Sequence, residues 1–81
     1  TNAKLSKVQC YRVAERAHDG LAMAIRPIHT SHDGDTAFCA ATQKVDAPID
    51  WVSNIAAELV VEATRNSVLH AATVAGVQGL A

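Results

Sequence analysis

The residues from Pro48 onward most restrict what this chain can fold into. A proline stands in a first helical turn, and Asp46 and Asp50 lie near the positive end of the helix that follows. Trp51, Val52, Ile55, Ala56, Leu59, Val60 and Ala63 then recur at helical spacing. Glu58, Glu62 and Arg65 form almost the only charged stripe on that helix. A helix apolar around most of its circumference must be covered on several sides. A chain of 81 residues supplies one small core and no second module. We therefore expect residues 1–81 to be a single, incomplete domain that needs a larger partner. A small helical bundle that dimerises is the alternative reading.

Two further elements precede that helix. In "SKVQCYRVAERAHDGLAMAIRP", Ser6 and Gln9 have the spacing of a capping box, and Val8, Tyr11, Ala14, Ala17, Leu21 and Ile25 share one helical face. Ala14, Ala17, Gly20, Ala22 and Ala24 would let another backbone come close. Asp19-Gly20 offers an early break, and Arg26 before Pro27 ends the helix. Next, "DTAFCAATQ" is a short apolar run with aromatic and β-branched members, expected to be a strand covered on both faces. Helix, strand and long helix make an α+β class, with no repeat or linker dividing the chain.

Composition removes several functions. With 49% apolar and 19% charged residues the chain is not a disordered tail. A net charge of -1 without a basic run gives no attraction to nucleic acid or to an anionic membrane. No apolar stretch approaches the roughly 18 residues of a membrane span, so a soluble protein is expected. Cys10 and Cys39 lack C-x-x-C spacing and read as buried thiols of a cytoplasmic protein rather than a disulfide framework. "TNAKLSK" has no initiator Met and no signal-peptide pattern, as expected of a piece cut from a longer precursor.

The chemistry concentrates in "HTSHDGDTAF". His29, His32, Asp33 and Asp35 could serve a metal hydrolase, although His18 and His70 lie in helical segments that need not converge on them. Alternatively, Asp33-Gly34 simply makes a turn. In a third reading, Asp33 and Asp35 project to the same side of extended backbone, one acid's pKa is raised by its neighbour, and the pair tunes a nucleophile. Thr1 could be that nucleophile, with its own α-amine as base. "TNAKL", however, lacks the apolar strand that would fix it.

"TNAKLSKVQ", "AERAHDGLAMAIRPIHT" and "DGDTAF" resemble the small chain of the DmpA-type aminopeptidase and amidase family, whose members cut their own precursor in two. The resemblance covers the first half best. It implies a four-layer α-β-β-α sandwich completed by the larger chain of the same precursor, and a higher oligomer of such heterodimers. It also implies a metal-independent amide hydrolase without cofactor, whose Thr nucleophile lies upstream of Thr1. Asp33 would contact that nucleophile or its α-amine, and Asp35 would hold and polarise Asp33. The Asp-Gly-Asp form points to the subgroup that cuts linear 6-aminohexanoate oligomers internally. Peptides and D-amino-acid esters are the neighbouring substrates. A packing subunit without catalysis, its acidic turn only stabilising, is the remaining possibility.

Overall fold

Two helices carry the architecture of the computed structural model, which describes residues 1–81: α1, Lys7–Ala24, and α2, Ile49–Leu69. α1 starts where the capping box places it. The Gln9 N–H donates to Ser6 Oγ at 3.1 Å, and the Ser6 N–H donates to Gln9 Oε1 at 2.9 Å. Ser6→Ala should lower stability by about 1 kcal/mol, read as a lower denaturant midpoint with unchanged slope. The helix stops at Ile25, whose backbone is extended, next to a cis Arg26–Pro27 peptide. α2 runs from Pro48 as its N-terminal cap, and Asp50 lies in its first turn.

Asp19-Gly20 does not break α1. Gly20 is buried in the seam between the helices, where a Cβ would overlap the Ala57 carbonyl oxygen and lie 2.9 Å from Val60 Cβ. Facing it, Ser53 and Ala57 are only 2% and 1% exposed. Arg16 Nη2 donates to Asn54 Oδ1 at 2.8 Å, and farther along Ala24 lines a hollow with Thr64. Contacts thus advance in the same direction on both helices, so α1 and α2 run parallel. The segment from Ile25 to Pro48 must return along the length of the pair to make this possible.

That return segment holds the main departure from expectation. "DTAFCAATQ" does not form a strand with a ladder on both sides. Instead, residues 1–4 lie alongside residues 40–45, with a single parallel bridge between Ala3 and Val45. The Thr1 ammonium donates to the Ala40 carbonyl at 2.9 Å, Thr42 N–H to the Thr1 carbonyl at 3.0 Å, and Lys4 N–H to the Val45 carbonyl at 2.7 Å. Lys44 and Val45 both donate to the Asn2 carbonyl, a bulge made by the left-handed Gln43, φ 62°. A ladder needs a neighbour on each flank, and only this short N-terminal stretch is present. Phe38 is consequently 92% exposed. The fold of these residues is α-rich with sparse strand pairing, and they do not themselves form a layered sandwich.

The core is small: Ala3, Leu5 and Val13, flanked by Cys10, Cys39, Ala41, Ile49, Val52 and Ala56. Both cysteines are free and half-buried. Burial pushes the Cys39 thiol up, and the adjacent Cys10 adds to the effect. The accessible surface is 6078 Å² for 8.5 kDa, against about 4,700 Å² for a compact monomer of that mass. The radius of gyration, 15.0 Å, likewise exceeds the roughly 12 Å of a globule of this length. Much of the excess is apolar: Phe38, Trp51 at 61% and Leu59 at 58% exposure border a groove of about 530 Å³ floored by Val13, Ile55 and Val60. No helix is long and apolar enough to cross a membrane.

Candidate active site

Local chemistry folds the turn after α1 around one carboxylate. Asp33 Oδ2 accepts the His29 N–H at 2.7 Å, and Asp33 Oδ1 accepts the N–H of Gly34 at 2.9 Å. The Asp33 N–H donates to the Thr30 carbonyl at 3.0 Å, closing the turn from the other side. His29 meets Asp33 only because its backbone is left-handed, φ 56°, a conformation costing a non-glycine residue about 1–2 kcal/mol. Its ring follows the same path, and Nδ1 reaches 3.9 Å from Asp33 Oδ2. Thr36 Oγ1 donates to the Gly34 carbonyl at 3.3 Å and fixes the far side.

Asp35 joins this arrangement. One oxygen or nitrogen donor atom from each of His29, Asp33 and Asp35 lies within 4.8 Å of the others. Proximity of the two acids follows from the spacing, but its electrostatic result differs from the expectation at Asp33. The His29 N–H holds the Asp33 carboxyl below its usual value of 3.8, reinforced by contacts from Asp35 and Gly34 and by the His29 charge, against a smaller opposing effect of desolvation. Hydrogen bonds to the charged form outweigh desolvation of the carboxylate. Held below 3.8, the Asp33 carboxyl is ionised at neutral pH and can accept hydrogen bonds there.

His29, Asp33 and Asp35, three of the four residues of the metal reading, thus stand close enough to share a cation, whereas the exposed His32 lies outside the cluster. His70 sits at the far end of α2 as its C-terminal cap. His18, by contrast, does converge. Its ring centroid lies 5.0 Å from that of His29, tilted by 55°. Sequence spacing gave no sign of this contact, because it depends on how the chain doubles back after Ile25. Thr1 is tied into the pairing of residues 1–4: its hydroxyl accepts the Ala3 N–H at 3.2 Å, and it borders the apolar groove beside Cys39 and Ala40.

The arrangement presents an ionised carboxylate, anchored on two backbone N–H groups, with a second acid beside it and solvent in front. Each carboxylate oxygen keeps a lone pair for an incoming donor. An ammonium or hydroxyl group is what such a site receives.

Comparison with protein families matches peptidase family S58 over residues 1–81. Among curated proteins, an uncharacterized aminopeptidase of Mycobacterium tuberculosis (strain ATCC 25618 / H37Rv) is 40% identical over 91 aligned positions, covering 94% of this chain and 26% of the relative. An uncharacterized aminopeptidase of Mycobacterium leprae (strain TN) is 57% identical over 47 positions, 58% of this chain and 13% of the relative. The 6-aminohexanoate-oligomer endohydrolase of Paenarthrobacter ureafaciens is 38% identical over 48 positions, 59% of this chain and 14% of the relative. The chain thus spans about a quarter, or less, of the length of these relatives. No solved structure matches it.

Proposed function

The chain belongs to peptidase family S58, and we propose that it is the small chain of an autoprocessed amide hydrolase, supplying the acids that hold and activate a nucleophilic Thr borne upstream of Thr1. The observation that carries this reading is the anchored Asp33, ionised at neutral pH, with Asp35 beside it, open to a donor from outside. Asp33 contacts the hydroxyl or the neutral α-amine of the nucleophile, and Asp35 holds and polarises Asp33. The Thr hydroxyl attacks the substrate carbonyl, its proton passing to the α-amine. The amine product leaves with a proton, and water releases the acid from the acyl-enzyme. The exposed groove along α2 is covered by the larger chain, which completes the layered sandwich, and by further copies of the heterodimer. Its cytoplasmic location is part of the same proposal.

For substrate, the Asp-Gly-Asp turn and the endohydrolase relatives support internal cleavage of linear 6-aminohexanoate oligomers. A second reading, removal of amino-terminal residues from peptides, is supported by the aminopeptidase relatives, whose similarity extends over nearly the whole chain. Expression of the full-length precursor tests both. It should split into two chains, and intact mass should place the small chain's N-terminus upstream of Thr1. The processed protein should release amines from a 6-aminohexanoate trimer or from aminoacyl p-nitroanilides, with activity unaffected by exhaustive chelation. A precursor that stays whole, or activity lost with the chelated metal, would overturn the proposal.

A further inference from the structure

We propose that His18 is a positioning residue: its ring braces the ring of His29 and so keeps His29 in the left-handed conformation that delivers its N–H to Asp33. The proposal rests on the reading of Asp33 as a catalytic acid, and it adds a residue of α1 that no sequence pattern attached to the site. Four observations meet here. The two imidazoles lie 5.0 Å apart between centroids, at a tilt typical of packed aromatic rings. His29 holds an unfavourable φ of 56°. That conformation yields the 2.7 Å hydrogen bond from His29 N–H to Asp33 Oδ2. Finally, His18 Nδ1 is buried without a hydrogen-bond partner, so through that atom the ring contributes no polar contact and its link to His29 is the packing of the two rings.

The link also gives the turn a rigid support. The turn itself is exposed, whereas α1 is fixed against α2 by the Gly20 seam and the Arg16–Asn54 hydrogen bond. His18 lies between Arg16 and Gly20 in sequence and transmits that rigidity to His29. The titratable groups facing Asp33 are His29 and Asp35.

The experiment uses the processed full-length protein and compares His18→Ala with His18→Phe. Asp33 is followed by carboxyl 13C NMR after selective aspartate labelling, and turnover is measured in parallel. Removing the ring frees His29, and the Asp33 midpoint should rise toward the ordinary carboxylate value in His18→Ala. Turnover should fall about 10-fold through kcat with little change in KM, the signature of a displaced catalytic group rather than lost binding. Phe keeps an aromatic face, so His18→Phe should restore both the low midpoint and the turnover. An Asp33 midpoint unmoved in His18→Ala overturns the proposal, as does a midpoint raised equally by Phe. If the midpoint shifts as expected while turnover does not, the bracing stands and the catalytic reading of Asp33 falls.

Discussion

Asp33→Asn should reduce amide turnover by about 10²–10³-fold in the processed protein, the range expected when a preorganised electrostatic group of a site is lost. The amide keeps the size of the acid but carries no charge, and one end becomes a donor facing a backbone N–H that already donates. The turn then loses one of its two anchors, from His29 or from Gly34, and the incoming nucleophile loses its counter-charge. Asp35→Asn should have the smaller effect, because Asp35 acts through Asp33. Initial rates on a 6-aminohexanoate trimer and on an aminoacyl p-nitroanilide, at matched extents of precursor cleavage, provide the check. Undiminished rates in the double variant would leave the turn a purely structural device. The sign of the pH dependence also follows. Asp33 has a lowered pKa, so its contribution is present above the usual value of 3.8 and is lost only as pH falls through its lower folded value. The acid limb of the activity profile should not lie near neutrality on account of this group.

Gly20→Ala should force α1 and α2 apart, because Gly20 is the one glycine inside a helix and it sits in their seam. In an ordinary helix interior this change is favourable by about 1 kcal/mol, and Gly20 is helical. Here the added carbon would overlap the Ala57 carbonyl oxygen, a backbone atom that cannot swing aside, and would press on Val60 Cβ at 2.9 Å. The helices would have to separate along a seam whose other members, Ser53 and Ala57, have no free volume. Overpacking of this kind costs about 1–3 kcal/mol, so after the helix-propensity gain the net expectation is a loss of up to about 2 kcal/mol. Thermal unfolding of the processed protein should begin several degrees lower. An unchanged or raised midpoint would mean that the seam is looser than its geometry implies.

Sequence made some of this legible. Ser6 and Gln9 announced the start of α1 because a capping box is a local device, complete within four residues. The small residues of α1 signalled a close helix contact, although Gly20 next to Asp19 also read as a break; burial against Ala57 favoured continuity. The apolar character of α2 was legible in its residues, and Trp51 and Leu59 on it, with Phe38 nearby, are exposed. The strand at "DTAFCAATQ" was not legible from its residues alone, since pairing depends on neighbours that periodicity does not reveal. At the site, the nearness of Asp33 and Asp35 followed from their spacing. The direction of the Asp33 shift did not, because it is set first by the His29 backbone N–H, which reaches the carboxylate only through the turn's geometry, with Asp35 and Gly34 adding to it. His18 could not have been found by any local pattern: it meets His29 across a reversal of the chain that only tertiary structure specifies.

Parallel helices carry a kinetic consequence. α1 and α2 cannot zip together as a hairpin would; the whole stretch from Ile25 to Pro48 must first close as a loop, with its entropic cost met before any seam contact compensates. The carboxylate turn lies inside that loop. Its hydrogen bonds, however, all close within residues 29–36, so the turn can form locally while the helices wait for the longer loop to close.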